Sequence, residues 1–247
     1  PVTCRFTTDY EKLAAFFREM EFKSLFVKIK GRVKEEEQRV EVGAVLTPET
    51  RILTGDELPA FLEGSDDQPI ALQFLATEAT WQRGEVLGIA FSKADDQHGY
   101  LPLTGQKAAW PEPLVRWLAD GQTKKLVHDG KTQMLLAHQA GLVTDGLAFD
   151  TLIAAYLVSG GRWKLDLEPT AHNLLGVEVP ELQDEKGKKR TVFSVPTGWS
   201  DEALATTGGR RTAALLKLHP TLKERIELEG VSELFYKIEM PLVRILF

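Results

Sequence analysis

Residues 70–76 (IALQFLA), 86–92 (VLGIAFS) and 99–103 (GYLPL) decide the fold. Each is a short apolar run, and polar turns separate the three. They predict a meander of three antiparallel strands. Downstream the pattern changes. Residues 112–119 predict a helix, 125–128 (KLVH) a short buried strand, and 131–140 a helix stopped by Gly141. Asp150 is placed to cap a helix running to about Val158, and 165–175 predict another. A helix over 201–218, capped by Ser200 or Asp201, should end or restart at Pro220. Residues 221–229 and 231–247 also look helical. A meander succeeded by alternating strands and helices predicts an α/β or α+β layer fold around one mixed sheet.

Upstream of the meander, Glu57 to Leu62 suggests a short helix. Leu13, Phe16, Phe17 and Met20 recur at helical spacing within 9–30, and the charged stretch 31–43 (GRVKEEEQRVEVG) reads as a linker.

Bulk properties narrow the function. The 247 residues are 43% hydrophobic and 27% charged, enough for a sizeable core. A net charge of −6 argues against an autonomous DNA-binding module, which would usually be basic. One cysteine, Cys4, allows neither an internal disulfide nor a cysteine zinc site. No apolar run approaches the length of a membrane span, and the N-terminus lacks a basic-then-apolar signal peptide, so with the lone cysteine a cytoplasmic setting is expected; a monomer is expected as well. The chain does not begin with Met, as expected of a fragment or a processed product.

Several motifs fail. Gly130-Lys131-Thr132 looks like the end of a phosphate-binding loop, but Lys125 stands where that loop needs a glycine. No nucleophile elbow or dinucleotide fingerprint occurs. His98, His128, His138, His172 and His219 lack ligand spacing and read as surface or half-buried side chains. Lys186, Lys188, Lys189 and Arg190 form a basic loop that could touch phosphate weakly. Phe74, Phe91, Phe149 and Tyr156 read as core.

Three stretches, in order, resemble bacterial DNA polymerase I of family A. Asp9–Leu25 (DYEKLAAFFREMEFKSL) is similar to the end of its 5′-nuclease region. Gly146–Leu157 (GLAFDTLIAAYL) resembles the "GIAFDTMLESYIL" segment of its 3′–5′ exonuclease domain. Leu234–Leu246 (LFYKIEMPLVRIL) resembles the "IEMPLV" segment where the polymerase module begins. The loop EKGKKR at 185–190 is similar to the form in Gram-positive thermophile relatives, whose exonuclease domain is inactive. The resemblance implies a ribonuclease-H-like fold: an antiparallel meander plus parallel strands, flanked by helices. It also implies the end of a 5′-nuclease region at 1–43, an exonuclease-type domain at 44–222 and the start of a polymerase module at 223–247.

The resemblance further implies a chemistry to look for. Family exonucleases hydrolyse phosphodiesters with two divalent ions held by carboxylates. At the first motif, Glu78 fills the glutamate position and Ala76 the aspartate position. At the second, Gln133 stands for the aspartate; Asp129, four residues earlier, is a helix N-cap rather than a substitute ligand. At the third, "YxxxD", Ala203 takes the tyrosine position and Gly209 the aspartate position, with Arg210 and Arg211 adding positive charge. Glu78 is the only carboxylate retained. The expectation is no metal in this domain, no cofactor beyond Mg²⁺ for a polymerase module, and no catalysis. The partners implied are that module in the same parent chain and, through it, DNA. The alternatives are an active exonuclease on single-stranded 3′ ends and a weak single-strand-binding module using loop 186–190 with Arg210 and Arg211.

Overall fold

The computed structural model describes residues 45–63, 68–77, 85–93, 97–103, 110–160, 163–179, 195 and 198–245. The predicted segment 1–43, Glu78 and the basic loop 186–190 lie outside the described residues.

Six strands form one mixed sheet in the order β1-β4-β3-β2-β5-β6. These are β1 (Thr50–Ile52), β2 (Ile70–Ala76), β3 (Val86–Ser92), β4 (His98–Pro102), β5 (Lys125–Val127) and β6 (Leu147–Asp150). The predicted meander is present: β2 pairs antiparallel with β3, and β3 with β4. Parallel strands flank it, β1 against β4 and β5 between β2 and β6. Two strands escape the sequence reading. β1 is only three residues long with two of them exposed, so it carries no apolar run. β6 reads in the sequence as the lead-in to a helix, because Asp150 both ends the strand and caps the next element.

Both faces of the sheet are covered, and β2 is buried along its whole length. This is why it reads as a continuous apolar run rather than an alternation. On one face Leu72, Phe74 and Ala76 meet α1 (Leu58–Leu62), α2 (Glu112–Ala119) and α3 (Gly130–Gln139). On the other, Ala71, Leu126 and Phe149 meet α4 (Thr151–Ser159), α5 (Leu167–Leu175) and α6 (Asp201–Leu228). The chain then runs through α7 (Ser232–Leu234), a π-helical turn (Phe235–Glu239) and α8 (Met240–Ile245).

α6 departs from expectation. It is one helix of 28 residues with Pro220 inside it. Proline removes one intrahelical bond, but Leu215, Leu218, Leu222 and Ile226 are buried on both sides of it, and that burial holds the helix together. Gly208 and Gly209 also have a tertiary role. A Cβ on Gly208 would fall 2.5 Å from the Ala90 Cβ of β3, and one on Gly209 1.8 Å from the Thr50 Oγ1 of β1. They let the helix lie directly on the sheet.

Tyr156 is exposed at 60%, so it is not core. His98 and His128 are fully buried, not surface residues. His98 Nδ1 lies 2.6 Å from Ser92 Oγ, which also contacts Thr212 Oγ1 at 2.7 Å and so links β3, β4 and α6.

Candidate functional site

The candidate site lies at the C-terminal end of β2, the start of α3 and the first turns of α6. α3 is fixed at its start by a network of carboxylates and backbone. Asp129 adopts a left-handed φ of 58°. Its side chain accepts hydrogen bonds from the Thr132 N–H and hydroxyl, the N-cap role expected of it. Asp150 caps α4 through Leu152 N–H and also accepts from Asp129 N–H at 3.1 Å and Gly130 N–H at 2.6 Å. One buried carboxylate thus joins the starts of two helices. Burial pushes its carboxyl up to about 6, against the pull of those backbone donors. All three of these hydrogen bonds come from backbone, so Asp150 is a structural group.

Behind it, His128 Nδ1 lies 2.9 Å from Thr151 Oγ1. Burial drives the imidazole down to about 3, and the charge of Arg211 acts in the same direction. Arg211 is wholly buried and pairs with Glu168 of α5 at 2.5 Å. It is therefore not available to nucleic acid, contrary to its suggested part in a single-strand-binding surface.

Gln133 sits one turn into α3, 2% exposed, and its Oε1 accepts the Phe74 N–H at 2.8 Å. The structure thus brings position 133 against β2, close in sequence to Ala76. Ala76 is buried at a bulge that ends the β2–β3 ladder. Its carbonyl accepts from Val195 N–H, and Val195 packs with Leu75, Ala90, Tyr100, Leu204 and Ala205.

The third position needs correction. A Y-x-x-x-D spacing from Ala203 falls on Thr207, not on Gly209. Residues four apart share a helix face, whereas six apart lie about 120° round from each other. Gly209 faces Thr50 at contact distance and has no room for a carboxylate. Ala203 and Thr207 are both partly exposed. The substance is unchanged, since neither Thr207 nor Gly209 is acidic.

The residues at these positions do not fit a pair of hard cations. Ala76 and Ala203 offer no ligand atom, Thr207 offers a neutral hydroxyl, and the one amide oxygen of Gln133 is committed to Phe74. Among the described residues, no group of three or more His, Cys, Asp or Glu lies close enough to hold a metal ion.

The family described as DNA polymerase I, ribonuclease H-like domain, matches residues 72–207, more than half of the chain. The chain belongs to that family. As a DNA polymerase I ribonuclease H-like domain, it is 27% identical over 238 residues to the DNA polymerase I of Bacillus subtilis (strain 168), covering 96% of this chain and 25% of that protein. The enzyme of Pseudomonas aeruginosa is 24% identical over 258 residues, covering 96% and 28%. The chain thus spans about a quarter of the length of these curated relatives.

Solved structures agree on the fold. The POL domain of Pol1 from M. smegmatis, in complex with DNA primer-template and dNTP, superposes with a TM-score of 0.64 at 23% identity, covering 79% of this chain and 30% of that one. Escherichia coli RNase D, an exoribonuclease, gives 0.59 at 19% identity, covering 81% and 50%. The ribonuclease-H-like mixed sheet flanked by helices is the fold of this domain. Among the described residues, no helix is long and apolar enough to cross a membrane.

Proposed function

We propose that this domain is a catalytically degenerate 3′–5′ exonuclease domain that serves as a structural support for a polymerase module in the same parent chain, acting on DNA in replication and repair. The observation that carries the loss of catalysis is the set Ala76, Gln133, Ala203 and Thr207, which places no carboxylate where the fold would need several. One glutamate at position 78 cannot offset the repulsion between two dications.

The supporting role rests on the C-terminal helical segment. Phe235, Met240 and Val243 are buried against the domain. Leu234, Ile238, Leu242 and Ile245 form a second apolar stripe, 36%, 53%, 36% and 75% exposed. A polymerase module is the occupant favoured for this outer stripe, because the relatives are about four times longer and are polymerases.

The test is a calorimetric titration of the chain with Mn²⁺, together with incubation on a 5′-labelled single-stranded oligonucleotide. Neither saturable heat nor shortening of the label is expected. A Mn²⁺-dependent ladder would establish the active exonuclease instead. Salt-sensitive retention of the oligonucleotide without cleavage would favour a weak binding module centred on Lys186, Lys188, Lys189 and Arg190.

A further inference from the structure

We infer that residue 133 has been converted from a ligand position into a cap on the open edge of β2, so that returning carboxylates to this cleft will not return a cation site. This rests on the reading of a degenerate site and goes beyond it, since it concerns whether the loss is reversible.

Within the sheet, β2 pairs with β5 only at Ile70 and Ala71. Ile70 N–H donates to Lys124 carbonyl, on the β5 side. Backbone donors along a strand alternate in direction, so the N–H of Phe74 points to that same side. There β5 has already parted from β2, and the donor would be left without a strand partner. Phe74 is fully buried, so water cannot take its place. A buried N–H without an acceptor is one of the costlier defects a fold can carry.

Gln133 resolves it. Its Oε1 reaches Phe74 N–H at 2.8 Å, acting across 59 residues of sequence. Its other amide atom, Nε2, is buried with no hydrogen-bond partner among the described residues. The side chain is therefore held by its acceptor end. α3 has no freedom to follow a shorter side chain, because Asp129 and Asp150 pin its first turn. Aspartate is one methylene shorter than glutamine and would stop short of the strand. Turned toward a cation, it would leave Phe74 unpaired.

Two variants test this. Gln133→Met keeps the length and removes the acceptor. Amide hydrogen exchange, resolved by residue, should show Phe74 exchanging about tenfold faster or more than in the wild type, while the rest of β2 changes little. Unchanged protection at Phe74 overturns the cap. The triple variant Ala76→Asp, Gln133→Asp, Thr207→Asp should melt lower than the wild type and give no saturable heat with Mn²⁺. A folded triple variant that binds Mn²⁺ overturns the inference. Should the triple variant fail to fold, Gln133→Asp alone is scanned thermally with and without Mn²⁺, where a Mn²⁺-dependent rise in Tm overturns it and none supports it. Binding by the unmodified chain would instead refute the degenerate-site reading, so the two failures are distinguishable.

Discussion

Gly208→Ala sets two physical effects against each other with opposite signs. Helix propensity favours the change: alanine in a helix interior is about 1 kcal/mol better than glycine. Packing opposes it. The added Cβ would stand 2.5 Å from the Ala90 Cβ and 3.1 Å from Leu75 Cδ1. Ala90 lies on β3, between β2 and β4 in the sheet, and its methyl has no far end to swing aside. Either α6 must lift or the strand must give, and overpacking of this kind costs about 1–3 kcal/mol, occasionally more. A contact this short against a central strand belongs at the upper end, so the net is a loss of about 2 kcal/mol. For a domain of this size that lowers Tm by about 4–8 °C. The assay is thermal unfolding of the wild type, Gly208→Ala, Ala90→Gly and the double variant. The double variant should be more stable than the sum of its singles predicts, because Ala90→Gly removes the opposing methyl. A Tm for Gly208→Ala equal to or above wild type would refute the reasoning, and the glycine would then be a defect in the helix rather than its point of approach to the sheet.

Arg211→Met should cost about 3 kcal/mol in a urea melt by leaving Glu168, whose side chain is only 12% exposed, without its partner, and Arg211→Met with Glu168→Leu should recover most of it. The pH response separates His128 from Asp150. His128, held near 3 against an ordinary 6.5, binds its proton only in the unfolded chain across that interval, so its contribution to stability falls as pH falls. Asp150, raised to about 6 from 3.8, binds its proton in the folded chain first, so its contribution is present at low pH and is lost as pH rises through 6. The two oppose each other between pH 4 and 6. Asp150→Asn should therefore lose stability on acidification across that window more steeply than wild type, by up to about 1.4 kcal/mol per pH unit. Parallel stability–pH curves for the two proteins would count against the raised value at Asp150.

The sequence by itself determined the meander, the caps Asp129, Asp150 and Ser200 with the helices they start, and the family, though not the continuity of α6 through Pro220. These arise from apolar runs, turn residues and short motifs, all properties of neighbouring residues. It also showed which positions carry no carboxylate, because an absent functional group needs no coordinates to be seen. Only the tertiary structure decided what the replacements do. Gln133 faces a donor 59 residues away, and Gly208 faces β3 more than a hundred residues upstream. Arg211, which reads as exposed charge, is buried against Glu168, while Tyr156, which reads as core, is exposed. β1, with three residues and no apolar pattern, exists because β4 offers it an edge. In each case the deciding partner is remote in sequence, and local patterning carries no record of which remote residue a side chain will meet.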